Sequence, residues 1–430
     1  MKIKKGLIIA TCISSLVLGG CAINTKAEEI MSAPKITVTQ ENIQSIIKEN
    51  LGESIKLLKP KNINSPIKFI DIDNDDQDEI VIFYASENES NLLRIAMFDY
   101  VEDELKVYNT IKANGLDFDK VFFKDIDEDK SLEIILGYET ENYMPKGLNI
   151  YKYKEDNLEE IFSETYDQMI TYDIDSDNTD EILLTKRDGE NVISNLNLYK
   201  YKEDKMVKVD EKEIDYGGVI SLKAGLVSKD TMGVFVDSVV GAHSGSTNMF
   251  IYKDGGLVDP FENNPDRWDL FFSPYAVISK DIDGDEIIEV ASLFPLKGYE
   301  DEAMAGMIFK TMWSKWDEKD GVKFVMDSIY NAYGEYEIIF PEGLDENITL
   351  TREIKDNKYS DVIEYIDGDK KEEVLEILTI AGKENTEELG IEYKHLKNYK
   401  DMIYFVRIIN EELYEEFDFE NILNNNFITG

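Results

Sequence analysis

Cysteine and histidine are nearly absent from this sequence, and with them most of the familiar catalytic side chains. The 430 residues include two cysteines, Cys12 and Cys21, and two histidines, His243 and His395. No HExxH pair and no Gly-x-Ser-x-Gly sequence occurs, so the usual signatures of zinc peptidases and of serine hydrolases are missing. The sequence offers no convincing catalytic constellation, and we expect a protein that is not an enzyme.

Positive charge is also scarce. Lys and Arg number 46 against 89 Asp and Glu, which gives a formal net charge of −43. So large an acidic excess argues strongly against nucleic acid or an anionic membrane face as a partner. The chain is nevertheless expected to fold, because 43% of its residues are hydrophobic and 11% are aromatic.

The N-terminus has the pattern of an export signal. Three lysines within residues 2–5 precede an apolar stretch at residues 6–17, which is too short to span a bilayer permanently. The next residues, Leu18-Gly-Gly-Cys21, resemble the lipobox of bacterial lipoproteins. This resemblance implies a signal peptide at residues 1–20, lipid attached to Cys21 and a location on the extracytoplasmic face of the bacterial cell membrane. An ordinary secretory signal is the alternative.

Residues 21–55 are expected to hold the lipidated cysteine, a tether and one short helix. The helical spacing starts after an N-cap at Thr39 and stops at Gly52. With Cys12 in the discarded segment and Cys21 lipidated, the mature chain would have no disulfide and no free thiol. Such an extracytoplasmic protein must be stabilised by a large core, by bound metal or by both.

A nine-residue acidic loop occurs four times, at residues 71–79, 125–133, 173–181 and 281–289. Each copy carries carboxylates at its positions 1, 3, 5 and 9 and is flanked by apolar or aromatic runs typical of β-strands. The four sets are Asp71, Asp73, Asp75 and Glu79; Asp125, Asp127, Asp129 and Glu133; Asp173, Asp175, Asp177 and Glu181; and Asp281, Asp283, Asp285 and Glu289. Oxygen ligands that converge on one point suit a hard cation, and we expect structural calcium at up to four sites.

The EF-hand also begins with Asp-x-Asp-x-Asp, but it needs glutamate at position 12 and a helix on each side. Position 12 is Ile82, Leu136, Leu184 and Ser292 here, and the flanks are β-rich. The EF-hand is therefore rejected as the interpretation of these loops.

The acidic loops belong to a longer repeat. They start 54, 48 and 108 residues apart, and the last interval is two periods. Hairpins with an aromatic first strand recur with them, starting at Phe98, Tyr151, Tyr199 and Phe250 and, more loosely, at Met312. The slot expected near residue 227 contains Lys229-Asp230 and lacks the ligands. The sequence therefore predicts five units of about 50 residues, four of them metal-competent, each with room for four short antiparallel strands.

The combination of loop and hairpin resembles the FG-GAP and VCBS repeats that form the blades of the integrin α-chain head. The resemblance covers roughly residues 56–332 and implies a mainly β fold, a calcium-binding β-propeller with the acidic loop between the first two strands of a blade. Position 6, commonly glycine in the family, is Asp76, Lys130, Asn178 and Glu286 here. Because Lys130 adds a positive charge, we expect the second loop to bind calcium more weakly than the first and third. The family's propellers usually have seven blades, so closure of the ring is left open.

Residues 333–430 predict a small α+β domain, because the pairing of loop and hairpin stops near residue 332. Strands are expected within residues 335–353, 361–366, 374–380 and 402–407, and a helix near residues 411–424. Asp367, Asp369 and Glu373 would fill positions 3, 5 and 9 of a further loop, but position 1 would be Tyr365. We interpret this segment as a hairpin turn.

The metal-free fourth unit contains a Gly-rich loop with His243 and Ser244. This loop is a candidate ligand loop, and a simple strand connection is the alternative. We expect a monomeric, lipid-anchored propeller that acts as a binding or adhesion scaffold for an unknown protein or glycan and touches the membrane through its lipid only. A polysaccharide-active lyase or hydrolase and an accessory subunit of another envelope protein are the alternative functions. No basic cluster is present to hold an acidic polysaccharide.

Overall fold

The computed structural model of this protein describes residues 40–88, 92–101, 104–141, 144–154, 157–187, 193–216, 218–341, 345–355, 357–368, 370–382 and 389–429. The predicted signal peptide, the predicted lipidation site Cys21 and the predicted tether lie outside these residues. The fold is mainly β, with 60% strand and 8% helix, as the sequence predicts. None of the helices in the described ranges is both long and apolar enough to cross a membrane.

The chain divides into two compact units between Ile55 and Lys56. The described part of the first unit contains helix α1 (Gln40–Leu51). The helix ends where Gly52 adopts a φ of 86° and donates its backbone N–H to the carbonyl of Lys48 at 3.2 Å. The predicted helix and its glycine stop are confirmed. Strand β1 (Ile55–Leu57) begins at the boundary.

The described part of the second unit contains six antiparallel sheets that follow one another along the chain. The first has five strands and contains β1, β2 (Ile67–Ile70), β3 (Glu79–Ser86), β4 (Leu92–Val101) and β5 (Glu104–Asn114). The second contains β6 (Asp117–Lys124), β7 (Glu133–Glu139), β8 (Lys146–Lys154) and β9 (Asn157–Tyr166). The third contains β10 (Gln168–Tyr172), β11 (Glu181–Arg187), β12 (Ser194–Lys202) and β13 (Lys205–Ile214).

The last three sheets, like the first, have five strands each. The fourth contains β14 (Gly218–Ser228), β15 (Thr231–Val240), β16 (Ser244–Lys253), β17 (Gly256–Val258) and, after helix α2 (Arg267–Phe271), β18 (Phe272–Ser273). The fifth contains β19 (Val290–Pro295), β20 (Phe309–Trp316), β21 (Val322–Asn331), β22 (Tyr336–Phe340) and the C-terminal β28 (Phe427–Thr429). The sixth follows a 3₁₀ turn (Asp345–Asn347) and contains β23 (Ile348–Lys355), β24 (Lys358–Asp367), β25 (Lys370–Ala381), β26 (Lys394–Tyr399) and β27 (Met402–Ile408).

Consecutive sheets pack against each other through shared apolar cores. In β11, the side chains of Ile182, Leu183 and Leu184 are all buried. Ile182 and Leu184 pack with second-sheet residues such as Ile150, whereas Leu183 packs with fourth-sheet residues such as Val234. Side chains alternate along a strand, so a strand buried on both faces needs a continuous apolar run. Similar cores join the first sheet to the second, the fourth to the fifth and the fifth to the sixth.

The fifth sheet includes the C-terminus of the described chain. Strand β28 pairs with β22, which places Thr429 opposite Tyr336. Strand β22 is also hydrogen-bonded to β21. The boundary predicted between residues 332 and 333 therefore falls between two neighbouring strands of one sheet.

The remaining C-terminal elements are local. Strands β24 and β25 form the predicted hairpin, with Gly368 at a φ of 61° in its turn, and Asp369 lies outside the described residues. The helix expected near residues 411–424 is divided into α3 (Glu411–Glu416) and α4 (Phe419–Asn425). Asp418 separates them because its φ of 51° is left-handed and cannot continue a right-handed helix.

Candidate metal centres

The four acidic loops follow the same backbone path. The first three each connect two paired, consecutive strands of a sheet, and the fourth leads into β19 after a single bridge between Lys280 and Glu289. Positions 4 and 6 of every loop have a φ between 60° and 80°; these residues are Asn74, Asp76, Glu128, Lys130, Ser176, Asn178, Gly284 and Glu286. Most of them are neither Gly nor Asn, so the loop conformation is maintained against an unfavourable backbone preference.

Carboxylates hold this path in place. The aspartate at position 1 accepts the backbone N–H of position 6 through Oδ2 at 3.0 to 3.1 Å in all four loops. The aspartate at position 5 accepts the N–H of position 7 through Oδ1 at 2.8 to 2.9 Å. These bonds turn the loop around its own acidic side chains.

The glutamate at position 9 is buried at the base of each loop. Glu79, Glu133, Glu181 and Glu289 are at most 2% exposed. In each of them, Oε2 accepts the backbone N–H of the isoleucine at position 2, at 2.6 Å in the first loop and 2.9 to 3.0 Å in the others. The other oxygen, Oε1, is buried and has no hydrogen-bond partner among the described residues in Glu79, Glu133 and Glu289.

Burial raises the pKa of all four glutamates to about 7, although the N–H bond from the isoleucine opposes the rise. A buried carboxylate oxygen without a partner costs free energy. A proton or a cation at Oε1 would remove that cost.

Three carboxylates of each loop converge. In the first three loops, oxygens from positions 1, 3 and 9 lie within 4.8 Å of one another; the sets are Asp71, Asp73 and Glu79; Asp125, Asp127 and Glu133; and Asp173, Asp175 and Glu181. In the fourth loop the set comes from positions 1, 3 and 5 and consists of the exposed Asp281, Asp283 and Asp285. The remaining predicted ligands, Asp75, Asp129, Asp177 and Glu289, lie outside these sets. Each set can hold a metal ion, and its all-oxygen character suits a hard cation.

Three lysines that were not predicted from the sequence reach into the loops. Lys152 contacts Asp127 and lies 2.8 Å from Asp129; Lys200 contacts Asp175 and lies 3.1 Å from Asp177 and 3.0 Å from Glu181; Lys315 lies 2.8 Å from Asp285. The hairpin triplets Tyr-Lys-Tyr and Ser-Lys-Trp contain these lysines and are the signal that could have revealed them. Lys130, the cation that the sequence analysis assigned to the second loop, is exposed, and its backbone N–H bonds to Asp125 at 3.0 Å.

The fourth sheet has no acidic loop. Strands β14 and β15 are joined by a two-residue turn, Lys229 and Asp230, with Ser228 paired to Thr231. The slot near residue 227 is therefore too short for four ligands. The hydroxyl of Tyr252 in this sheet donates a hydrogen bond to Asp175 of the third loop at 3.1 Å.

The candidate ligand residues His243 and Ser244 lie where the chain turns from β15 into β16. The carbonyl of His243 accepts the backbone N–H of Ala276 at 3.1 Å, and its ring centroid lies 5.9 Å from that of Tyr275. The next residue is Gly245, where a Cβ would come within 2.4 Å of the Cα of Ala276. These contacts pack the turn against residues 275–276.

A cavity of about 430 Å³ lies further along β16; it is lined by Asp215, Tyr216, Ser246, Thr247, Pro265, Arg267, Trp268 and Phe271. Trp268 is 50% exposed and stacks on Phe272, with ring centroids 4.8 Å apart. The guanidinium of Arg267 lies 3.1 Å from both Asp215 and Asp259. The cavity thus combines an exposed aromatic ring with charged groups and hydroxyls.

Neither a family model nor a curated protein matches this sequence. Similar solved structures include Saccharomyces cerevisiae Sqt1, with 8% identity, a TM-score of 0.33 and coverage of 77% of this chain and 92% of that one. The rhamnogalacturonan lyase YesW has 10% identity and a TM-score of 0.30, and the match covers 73% of this chain and 84% of that one. The Dos1 propeller has 7% identity and a TM-score of 0.29, and the match covers 76% of this chain and 74% of that one. At these TM-scores, the likenesses identify neither the fold nor the activity of this chain.

Proposed function

We propose that this protein is a calcium-binding β-propeller, anchored by lipid on the extracytoplasmic face of a bacterial cell membrane, that serves as a binding or adhesion scaffold. Four- and five-stranded antiparallel sheets that pack one on the next in chain order support the assignment of blades. The Leu18-Gly-Gly-Cys21 sequence supports the lipid anchor. Three converging carboxylates in each acidic loop support the metal.

The unpaired Oε1 of the position-9 glutamate is the observation that carries the calcium assignment. This oxygen is buried, and in the first and second loops it belongs to the same glutamate that converges with positions 1 and 3. A bound divalent cation satisfies it and relieves the repulsion among the aspartates. Calcium fits better than magnesium, because magnesium requires a near-ideal octahedron and keeps several waters.

Thermal melting with calcium and with chelator tests the assignment. At calcium concentrations about 100-fold above Kd, binding should stabilise the fold by about 2.7 kcal/mol, or about 3 °C for a chain of this size. The double variant D71N/D73N should lose most of this rise, whereas E213Q, which removes an exposed charge outside the loops, should keep it. Equal midpoints of thermal unfolding in calcium and in chelator would contradict the structural role of calcium.

The cavity beside Trp268 supports a glycan as the scaffold's ligand. An exposed indole can stack on the apolar face of a sugar ring, while Arg267, Asp215 and the hydroxyls of β16 can bond to its hydroxyl groups. Two carboxylates, Asp215 and Asp259, lie beside the single guanidinium of Arg267, so the site carries an excess of negative charge. It therefore favours a neutral sugar over a negatively charged uronic acid.

A screen against neutral and acidic glycans tests this ligand class. W268A should abolish binding to a neutral glycan, whereas Y333A, which truncates an exposed aromatic ring elsewhere, should not. Binding of the native protein that W268A leaves intact would move the ligand site away from this cavity. Release of shortened sugar products would favour the polysaccharide-active enzyme, and a protein that co-purifies from solubilised membranes would favour the accessory subunit.

A further inference from the structure

One residue of each hairpin faces the base of the loop, and strand pairing identifies it without reference to side-chain type. The first residue after each loop pairs with a hairpin residue: Ile80 with Phe98, Ile134 with Tyr151, Ile182 with Tyr199 and Val290 with Ser314. The next hairpin residue therefore lies beside the position-9 glutamate. We call it the facing residue. It is Asp99 for the first loop, Lys152 for the second, Lys200 for the third and Lys315 for the fourth.

A β-bulge marks this place in all four hairpins. The register between the two hairpin strands shifts between Met97 and Phe98, Ile150 and Tyr151, Leu198 and Tyr199, and Trp313 and Ser314. A bulge bends its strand and re-aims the side chains that follow. The facing residue is the second residue after the register shift. The bulge therefore determines the direction of its side chain.

The three lysines act as cations of their loops. Their side chains are largely buried, with 16% exposed for Lys152, 12% for Lys200 and 24% for Lys315. Each ammonium group lies within ion-pair distance of one to three carboxylates of the adjacent loop. A buried ammonium in such a place neutralises part of the charge that would otherwise attract a metal ion.

The first loop has the opposite arrangement. Its facing residue, Asp99, brings a fifth carboxylate beside Asp71, Asp73, Asp75 and Glu79. Burial is the main cause of the raised pKa of Asp73 and Glu79, and the charge of Asp99 raises it further. Five carboxylates surround this position, against four carboxylates and one ammonium in each of the other loops.

The fourth sheet supplies an internal comparison. Val234 pairs with Phe250, so the facing residue there is Ile251, and the acidic loop is replaced by the turn at Lys229 and Asp230. Where the acidic loop is missing, the lysine is missing too. Among these five hairpins the lysine occurs only beside an acidic loop, at three of the four, and it is not a general feature of the hairpin.

We propose that the facing residue determines how each acidic loop is neutralised: the first loop, with Asp99, is the high-affinity calcium site, and Lys152, Lys200 and Lys315 are built-in cations that replace calcium in the other three. This inference rests on the proposed binding of calcium to the acidic loops. It assigns the strongest site to the first loop and places the third loop among the weak sites, whereas the sequence predicted that the third loop binds calcium more tightly than the second. It also predicts that these three loops keep their shape at low calcium.

Calorimetric titration of calcium into the chelator-stripped full chain tests this proposal. The native protein should show one tight site and weaker binding elsewhere. D99K should weaken the tight site by about 100-fold, and D99N by about tenfold, because the charge beside the ion changes sign in one and disappears in the other. K200M should tighten calcium binding at the third loop by at least about tenfold.

The matched control is K154M. Lys154 lies two residues after Lys152 on the same hairpin strand and is exposed, and its ion pair in the described ranges is with Glu159 at 3.7 Å. Its replacement should therefore leave calcium binding unchanged. Near-ultraviolet circular dichroism identifies any variant that fails to fold, and D99N then replaces D99K as the decisive variant.

Two results would overturn the inference, and they differ in whether the calcium assignment survives. Four equivalent calcium sites, or a tight site that neither Asp99 variant changes, would overturn the role of the facing residue and leave the calcium assignment intact. No calcium binding to the native chain would overturn both.

Discussion

In the third acidic loop, Oε1 of Glu181 lies 3.0 Å from the ammonium nitrogen of Lys200. Within the part of the chain that the structure describes, the equivalent oxygens of Glu79, Glu133 and Glu289 have no hydrogen-bond partner. The third loop thus supplies its buried carboxylate with a counter-ion from its own hairpin. The first loop has an aspartate, Asp99, at that hairpin position, and under our proposal its cation comes from solution.

The two loops should respond differently to calcium. D71A/D73A should remove most of the calcium-induced rise in melting temperature, whereas D173A/D175A should remove a smaller part of it. The reason is that Lys200 already neutralises the third loop. Melting curves of both double variants, each with calcium and with chelator, check this, and a larger loss in D173A/D175A would contradict it.

Stability without calcium should fall as the pH rises. The four position-9 glutamates have a folded pKa of about 7, raised from an ordinary value of 4.5. A raised folded pKa favours the protonated form, so its contribution is complete below about pH 4.5 and is lost as the pH rises through about 7. In chelator, the midpoint of thermal unfolding should be lower at about pH 8 than at about pH 5.

The calcium-induced rise should therefore be larger at about pH 8, because the carboxylates are then charged and ready to bind. E79Q removes one titrating carboxyl group, because the glutamine side chain stays neutral. In chelator, its midpoint of thermal unfolding should therefore fall less between about pH 5 and about pH 8 than that of the native protein. A chelator profile that rises steadily from about pH 5 to about pH 8 in the native protein would contradict the burial of these groups.

Position 6 of the second loop should prefer glycine. Lys130 has a φ of 78°, which a residue with a Cβ adopts at a cost of about 1 kcal/mol relative to glycine. In chemical denaturation, the free energy of unfolding of K130G should therefore be about 1 kcal/mol higher than that of K130A. At Lys154, which lies in an extended strand, the order of Gly and Ala should be reversed. Equal stabilities of K130G and K130A would show that the loop relaxes around a side chain.

A buried carboxylate in the second sheet should be important for stability. Asp119 is 1% exposed; it accepts hydrogen bonds from Lys61 at 2.9 Å, from Lys146 at 3.0 Å and from the Tyr166 hydroxyl at 2.7 Å. Burial raises its pKa, but these three donors outweigh burial and lower the pKa below its usual value. D119A would leave the Tyr166 hydroxyl without its buried acceptor and Lys61 and Lys146 with Glu139 as their remaining carboxylate. It should lower the free energy of unfolding by about 3 kcal/mol.

Asp117 is the matched control for this prediction. It is exposed on the same strand, β6, and D117A should change the free energy of unfolding by at most about 0.5 kcal/mol. Denaturant titrations of the two variants give both values. Equal effects of D119A and D117A would show that the buried cluster contributes nothing to stability.

The sequence predicts the local parts of this fold well. The acidic loops, the strands around them and the hairpins are encoded by residues within a few positions of each other, as in the continuous apolar run Ile182-Leu-Leu184 after the third loop. The stop of α1 at Gly52 is equally local.

The features that sequence reasoning missed depend on contacts between distant segments. Lys152 lies 25 positions from Asp127, and only the pairing of β7 with β8 brings them together. The pairing of β28 with β22 joins segments even farther apart, which is why the C-terminal residues could not be assigned to the fifth sheet. The break at Asp418 depends on a single left-handed residue that helical periodicity does not reveal.

Equilibrium dialysis of the full chain against radioactive calcium tests the central claim most directly. The account predicts at least one tightly bound calcium ion per chain, lost in D71N/D73N and retained in E213Q. A native chain that retains no calcium, or a D71N/D73N variant that retains as much as the native chain, would contradict it.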